Sequence, residues 1–197
     1  MHQKPFKPVK LSLFGGLMLL VGCTQTVQGV PENTKVTVDY YTVNGKTSKQ
    51  LDRQIRAKGP RSAGNDHALA VARIKMQPTV RFRTLPGGCQ ISHAKVTVSA
   101  KVTLPRWAQR NKADKRLGRA WDNLDKYARW HEAIHVAIAS RFASQMEADL
   151  KALPIARNCE TAREDASALI DLRLDEHDKA QLKFDADEQK RIALLNR

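Results

Sequence analysis

The chain has 197 residues, with 34 lysines and arginines against 20 acidic residues, a formal net charge of +14, and three cysteines. This length is enough for one domain with a substantial hydrophobic core, and nothing in the sequence indicates a second domain. A surface this basic attracts anions, and nucleic acid is the usual partner of such a charge.

Residues 1–22 have the features of a secretion signal. Three lysines form a basic n-region, and the apolar run at 11–20 is too short to span a bilayer as a permanent helix. The run ends in the letters LVGC at Cys23, which resemble a bacterial lipobox. We therefore expect Cys23 to be lipidated and to become the first mature residue; the alternative is an ordinary signal peptide with a free cysteine.

The residue after Cys23 is Thr24 and not aspartate. By resemblance to the sorting rules of Gram-negative bacteria, this predicts a lipoprotein of the outer membrane that faces the periplasm. Removal of residues 1–22 takes away three lysines and no acidic residue, which lowers the net charge from +14 to +11. An exported chain seldom meets nucleic acid, so we exclude that partner and expect an anionic envelope polymer or lipid, or a basic surface without a partner.

The polar residues 23–34 predict a flexible tether, and the folded domain is expected at 35–197. The clearest strand is 95–104, where apolar side chains at even positions alternate with polar ones, so one face should be buried. Before this strand, the sequence predicts a strand at 36–43, a short helix at 48–57, and strands at 68–76 and 79–84 separated by Pro78.

A long helix is predicted at 115–153, and its residues 131–135 read HEAIH, an HExxH motif. Residues four apart on a helix lie about 6 Å along the axis and about 40° around it, so both imidazoles can bind one ion. Glu132 lies about 100° away, where its carboxylate can reach a water on that ion and act as a general base. The alternative is a chance pair of histidines on an amphipathic helix.

A second helix is predicted from Cys159 to Leu182 or Leu195, after a turn at 153–155. The domain should therefore be α+β, with a small antiparallel sheet followed by a long helical hairpin. Two cysteines remain beside the lipidated one, and an isolated pair in the oxidising envelope usually forms a disulfide. We expect Cys89 and Cys159 to be joined; a catalytic thiol or a Cys/His metal site would be expected to show a CxxC pattern.

The order of these features resembles an uncharacterised family of bacterial secreted, predicted zinc-dependent proteases of the zincin type. The resemblance covers roughly 36–191 and includes the Tyr-rich first strand, Cys89 and Cys159, the strand that ends in LPRW at Trp107, the HEAIH motif and Phe184-Asp185. It implies a zincin-like fold, a zinc cofactor and hydrolysis of peptide bonds. Members often continue after the aromatic-Asp pair with Thr-x-His-Gly, whereas this chain has EQKR at 188–191.

A catalytic zinc takes three protein ligands and keeps one open position. The motif supplies two, His131 and His135. Reflection of the motif about the turn between the two helices places Glu176 or His177 opposite it. The resemblance instead indicates a position further along the second helix; we favour Asp185 as the third ligand, with Glu188 as the alternative.

These features predict a zinc-dependent peptide hydrolase of the bacterial envelope. Glu132 would take a proton from the attacking water, and the substrate would lie extended against the strand 95–104, by analogy with zincins. The alternative function is a non-catalytic envelope lipoprotein that binds a wall polymer or a protein partner. Hydrolysis of an amide or ester in a non-protein substrate would use the same chemistry.

Overall fold

The computed structural model describes residues 33–61 and 67–195. The predicted signal peptide, Cys23 and most of the predicted tether lie outside these ranges. Within them, no helix combines the length and the apolar character needed to cross a membrane. In chain order the elements are β1 (Thr34–Val43), α1 (Ser48–Lys58), β2 (Val71–Leu85), β3 (Gly88–Trp107), a short 3-10 helix (Arg110–Lys112), α2 (Lys115–Ala152) and α3 (Cys159–Leu195).

The three strands form one mixed sheet in which β3 is central. β2 and β3 are antiparallel, and Gly87 in the turn between them has a φ of 86°, which glycine adopts without strain. β1 runs parallel to β3, and α1 and β2 provide the long connection that parallel neighbours need. The α+β class is confirmed, but the predicted all-antiparallel sheet is wrong at the pair of β1 and β3.

β2 continues through Pro78, where the sequence predicted a break between two strands. Proline has no N–H, so it fits a strand only where the partner strand accepts no hydrogen bond from it. Its partner Val96 uses its backbone groups elsewhere: the N–H donates to Glu147 (3.2 Å) and the C=O accepts from Asn33 (2.7 Å). The predicted break is therefore wrong. Asn33, assigned to the tether, is already part of the fold.

The main core lies between the sheet and α2. The predicted alternation of β3 is confirmed, because its even-numbered side chains from Val96 to Leu104 are buried. Small side chains on α2 let the helix approach this face closely, and a few larger ones fill the remaining space. The α2 residues in these clusters are Ala128, Val136, Ala139, Ala143, Met146 and Leu150.

α2 is a helix of 38 residues and confirms the predicted span at 115–153 to within one residue. Asp114 caps its N-terminus, where the carboxylate accepts hydrogen bonds from the backbone N–H groups of Arg116 and Leu117. The helix ends before Pro154, which disfavours helical backbone in the residue that precedes it. The motif histidines therefore lie in the middle of a rigid element.

The predicted disulfide between Cys89 and Cys159 is confirmed and fixes the start of α3 to the start of β3. Ala156, in the connection between α2 and α3, also pairs with Cys89 through two backbone hydrogen bonds of 2.8 Å. α3 then runs back along α2, as contacts of Arg173 with Asp149 and of Gln181 with His135 show. The predicted helical hairpin is confirmed, and its second helix extends to the later of the two predicted ends.

Candidate metal centre

Three side-chain atoms converge between α2 and α3. The Nε2 atoms of His131 and His135 are 3.1 Å apart, and Oδ1 of Asp185 lies 3.2 Å and 3.1 Å from them. Ligand atoms of a tetrahedral zinc site, at about 2.0–2.1 Å from the ion, are about 3.3–3.4 Å apart. We call these three atoms the donor triangle. Their separations are within a few tenths of an ångström of those between three ligand atoms of a tetrahedral zinc site. The three atoms could hold a metal ion with one position open.

The two helices place the donor triangle through simple spacing. His131 and His135 are four residues apart on α2 and so leave one side of the helix, towards α3. Asp185 comes from α3, and the preceding Phe184 packs its ring 4.9 Å and 5.0 Å from the imidazole centroids of His131 and His135. This aromatic contact restricts both imidazoles to the orientation in which their Nε2 atoms meet.

The electrostatics favour neutral imidazole at His131. Burial lowers the pKa of His131 below its ordinary value, and the neighbouring His135 lowers it further, whereas Asp185 acts in the opposite direction. A neutral imidazole keeps a lone pair on one nitrogen, which is the form that binds a metal ion. The lowered pKa therefore favours, at His131, the neutral form that a ligand needs.

Glu132 lies beside the donor triangle and not in it. The residue is only 5% exposed, because it leaves α2 on the side that faces the sheet. Burial raises the pKa of the Glu132 carboxyl, while His135 and a hydrogen bond from the backbone N–H of Ala72 on β2 lower it. A carboxylate with a raised pKa is a better proton acceptor than one in water. The arrangement suits a general base.

Residues 38–191 match a family described as "bacterial protein of unknown function (DUF922)". The chain belongs to this family. The matched range contains the HEAIH motif, both cysteines of the disulfide and Asp185, so the whole site lies inside the family domain. No curated protein and no solved structure gives a match.

The other candidate ligands lie outside the donor triangle in this DUF922 domain. The carboxylate of Glu188 accepts hydrogen bonds from Tyr127 (3.0 Å) and twice from Arg191 (2.8 Å and 2.6 Å). Glu176 pairs with Arg173, and His177 contacts its neighbours on α3. Reflection about the turn predicted Glu176 or His177 opposite the motif, but in the structure Gln181 lies against His135. The connection anchored at Ala156 thus leaves α3 displaced along α2 by more than one helical turn from the predicted position.

Gln181 is a residue of the site that the sequence reasoning missed. Its Oε1 lies 2.6 Å from Nδ1 of His135, and its Nε2 lies 3.1 Å from the backbone oxygen of His135 and 2.8 Å from Nε2 of His177. Glutamine is not a typical metal ligand, so no metal-site motif in the sequence includes it. Only its spacing could have indicated a role, since Gln181 is four residues before Asp185 and so lies on the same side of α3.

Proposed function

We propose that the chain is a zinc-dependent peptide hydrolase of the bacterial envelope. His131, His135 and Asp185 hold the ion, and Glu132 is the general base. The observation that carries the proposal is the donor triangle, with edges of 3.1–3.2 Å, beside a buried carboxylate of raised pKa. When bound, zinc supplies Lewis-acid chemistry that activates water and polarises the scissile carbonyl.

The protein's own part in the reaction is proton transfer by Glu132. The carboxylate takes a proton from the attacking water and returns it to the amine that leaves. The backbone N–H of Ala72, at the start of β2, faces this carboxylate. Burial of Glu132 keeps bulk water from competing for that proton.

The strand expected to bind the substrate is not available for it. The strand 95–104 lies within β3, which is paired with β1 on one side and β2 on the other. Its backbone hydrogen-bonding groups are therefore already used. Among the strands that the structure describes, β1 and β2 are the edges, and β2 is the one that contacts Glu132.

The outer edge of β2 has backbone groups that an extended peptide can use. Opposite residues in an antiparallel pair either exchange both hydrogen bonds or neither. Val98 of β3 turns its N–H towards β1, where it donates to the C=O of Asn33 (2.9 Å). Its partner Met76, and likewise Ile74, therefore direct their N–H and C=O groups outward. The N–H of Ala72 instead faces the carboxylate of Glu132. We assign the substrate backbone to this edge, by addition of a strand.

A cavity of about 620 Å³ lies one turn of α2 from His131 and suits a substrate side chain next to the scissile bond. Its aromatic wall is Tyr127 and Trp130, and Trp130 is 44% exposed. The guanidinium of Arg191 lies over both rings, 5.9 Å and 5.6 Å from their centroids. Because Arg191 is paired with Glu188, the aromatic wall favours a planar or apolar group, with no preference for a negative charge. The lining residues are Asn123, Lys126, Tyr127, Trp130, Glu188 and Arg191.

The location in the envelope rests on the sequence alone. We propose a lipid anchor at Cys23 and the periplasmic face of the outer membrane, on the grounds of the LVGC stretch and Thr24.

The first test of the proposed function is metal content. Protein purified without chelators should contain close to one equivalent of zinc, and His131→Ala should lose it, because two remaining ligands hold zinc poorly. If the wild-type protein contains no metal, and added zinc neither binds nor raises the melting temperature, the hydrolase proposal fails. The chain would then be the non-catalytic binding module that was the alternative.

A further inference from the structure

The side-chain amide of Gln181 connects the donor triangle to a third histidine, His177. Gln181 lies four residues after His177 and four before Asp185, so all three occupy one side of α3. Its amide contacts His135 twice, through the ring and through the backbone oxygen, and contacts the ring of His177 once. These contacts together determine which atoms carry the protons.

The orientation of the Gln181 amide follows from the backbone oxygen of His135, which can only accept a hydrogen bond. The amide nitrogen must therefore face that oxygen, at 3.1 Å. The amide oxygen then faces Nδ1 of His135 at 2.6 Å, and an oxygen that can only accept requires a proton on Nδ1. A neutral His135 consequently carries its lone pair on Nε2, the atom in the donor triangle.

The second amide proton of Gln181 determines the state of His177. It points to Nε2 of His177, 2.8 Å away, so that atom must accept, and the proton of the neutral ring lies on Nδ1. Nδ1 in turn donates to Oδ1 of Asp178 at 3.0 Å. His177 is 8% exposed and its ring lies edge-on to Phe142, which shields its contact with Gln181 from water, whereas the side chain of Asp178 is 77% exposed.

We infer that Gln181 is a positioning residue that holds His135 in the Nδ1–H tautomer, with His177 and Asp178 as its supports. This tautomer is the less favoured one for a free histidine in water, so the protein imposes it. His131 differs, because its buried Nδ1 has no hydrogen-bond partner among the described residues. The donor triangle thus has one histidine fixed in the binding form by hydrogen bonds and one restricted by packing alone.

The effect on metal binding rests on the proposed function. Partners of the non-ligating ring nitrogen fix the orientation of a ligand histidine, and their loss typically costs about 10–100-fold in metal affinity. The hydrogen bonds of Gln181 do not involve a metal ion, although Oδ1 of Asp185, 3.1 Å from Nε2 of His135, competes for a proton on that atom in metal-free protein. The tautomer can still be measured in metal-free protein, whether or not the chain is a hydrolase.

The test is nitrogen-15 NMR of the metal-free full chain, labelled at histidine and held at a pH where the rings are neutral. The ring correlations should show His135 and His177 as Nδ1–H tautomers in the wild type. Gln181→Met should move His135 towards Nε2–H and weaken zinc binding by about 10–100-fold. Gln189→Met is the matched control, because Gln189 is an exposed glutamine on the same helix, and it should change neither quantity.

Gln181→Glu separates a specific hydrogen bond from general packing. A carboxylate accepts from both rings, so His135 should stay Nδ1–H while His177 switches to Nε2–H. An Nε2–H tautomer at His135 in the wild type would overturn the inference, as would an unchanged His135 tautomer in Gln181→Met. A wild-type chain that shows the expected tautomers but binds no zinc would support the positioning role and refute the proposed function.

Discussion

Replacement of Glu132 by glutamine is the change that separates catalysis from metal binding. The carboxylate is outside the donor triangle, so Glu132→Gln should keep zinc near one equivalent. The glutamine oxygen can still accept the hydrogen bond from the N–H of Ala72, so the contact between α2 and β2 should persist. What is lost is the ability to take a proton from water.

The expected magnitude follows from that single loss. A positioned general base contributes about 10²–10⁴-fold to a rate, which corresponds to about 3–5 kcal/mol of activation free energy. Because burial raises the pKa of Glu132, the folded protein disfavours its ionised form, and a neutral amide removes that unfavourable term. The melting temperature of Glu132→Gln should therefore equal or exceed that of the wild type.

The assay is cleavage of a fluorogenic peptide library by wild type and variant at equal zinc content. Glu147→Gln is the matched control, because Glu147 is also on α2 and accepts a backbone N–H from the sheet, at Val96. It should leave cleavage unchanged. If Glu132→Gln keeps zinc and more than about a tenth of the activity, the assignment of Glu132 as general base, with its expected 10²–10⁴-fold contribution, is refuted.

Three further predictions concern the third ligand, the disulfide and the anchor. Metal analysis should show that Asp185→Ala loses zinc and that Glu188→Ala retains it. The reverse result would identify Glu188, and not Asp185, as the third ligand. Reduction of the bond between Cys89 and Cys159, which are 70 residues apart, should cost about 4 kcal/mol in the chain-entropy model. That loss corresponds to a fall of about 8–16 °C in melting temperature. Equal melting curves with and without reductant would contradict it. Cys23→Ser should abolish labelling by a fatty-acid analogue and release the protein from the membrane fraction, and unchanged labelling would rule out the anchor.

The sequence by itself determined the elements that can be recognised from the pattern of residues a few positions apart. The side-chain alternation of β3 and the uninterrupted apolar spacing of α2 each depend on residues a few positions apart, so the buried strand face and the long motif helix follow from the chain directly. The same holds for the two motif histidines, because four-residue spacing on a helix sets their common direction. The disulfide followed from the number of cysteines in a chain that the sequence predicts to be exported.

Only the tertiary structure decided the features that join distant segments. β1 is parallel because α1 and β2 return the chain to the same end of the sheet, and Pro78 is tolerated because Val96 uses its hydrogen bonds elsewhere. The register of α3 against α2 depends on the connection held to β3 by Cys89. That register brings Asp185 into the donor triangle and sets Gln181 behind His135. Residue spacing within one helix carries no information on this offset, because the anchor that creates it is 70 residues earlier in the chain.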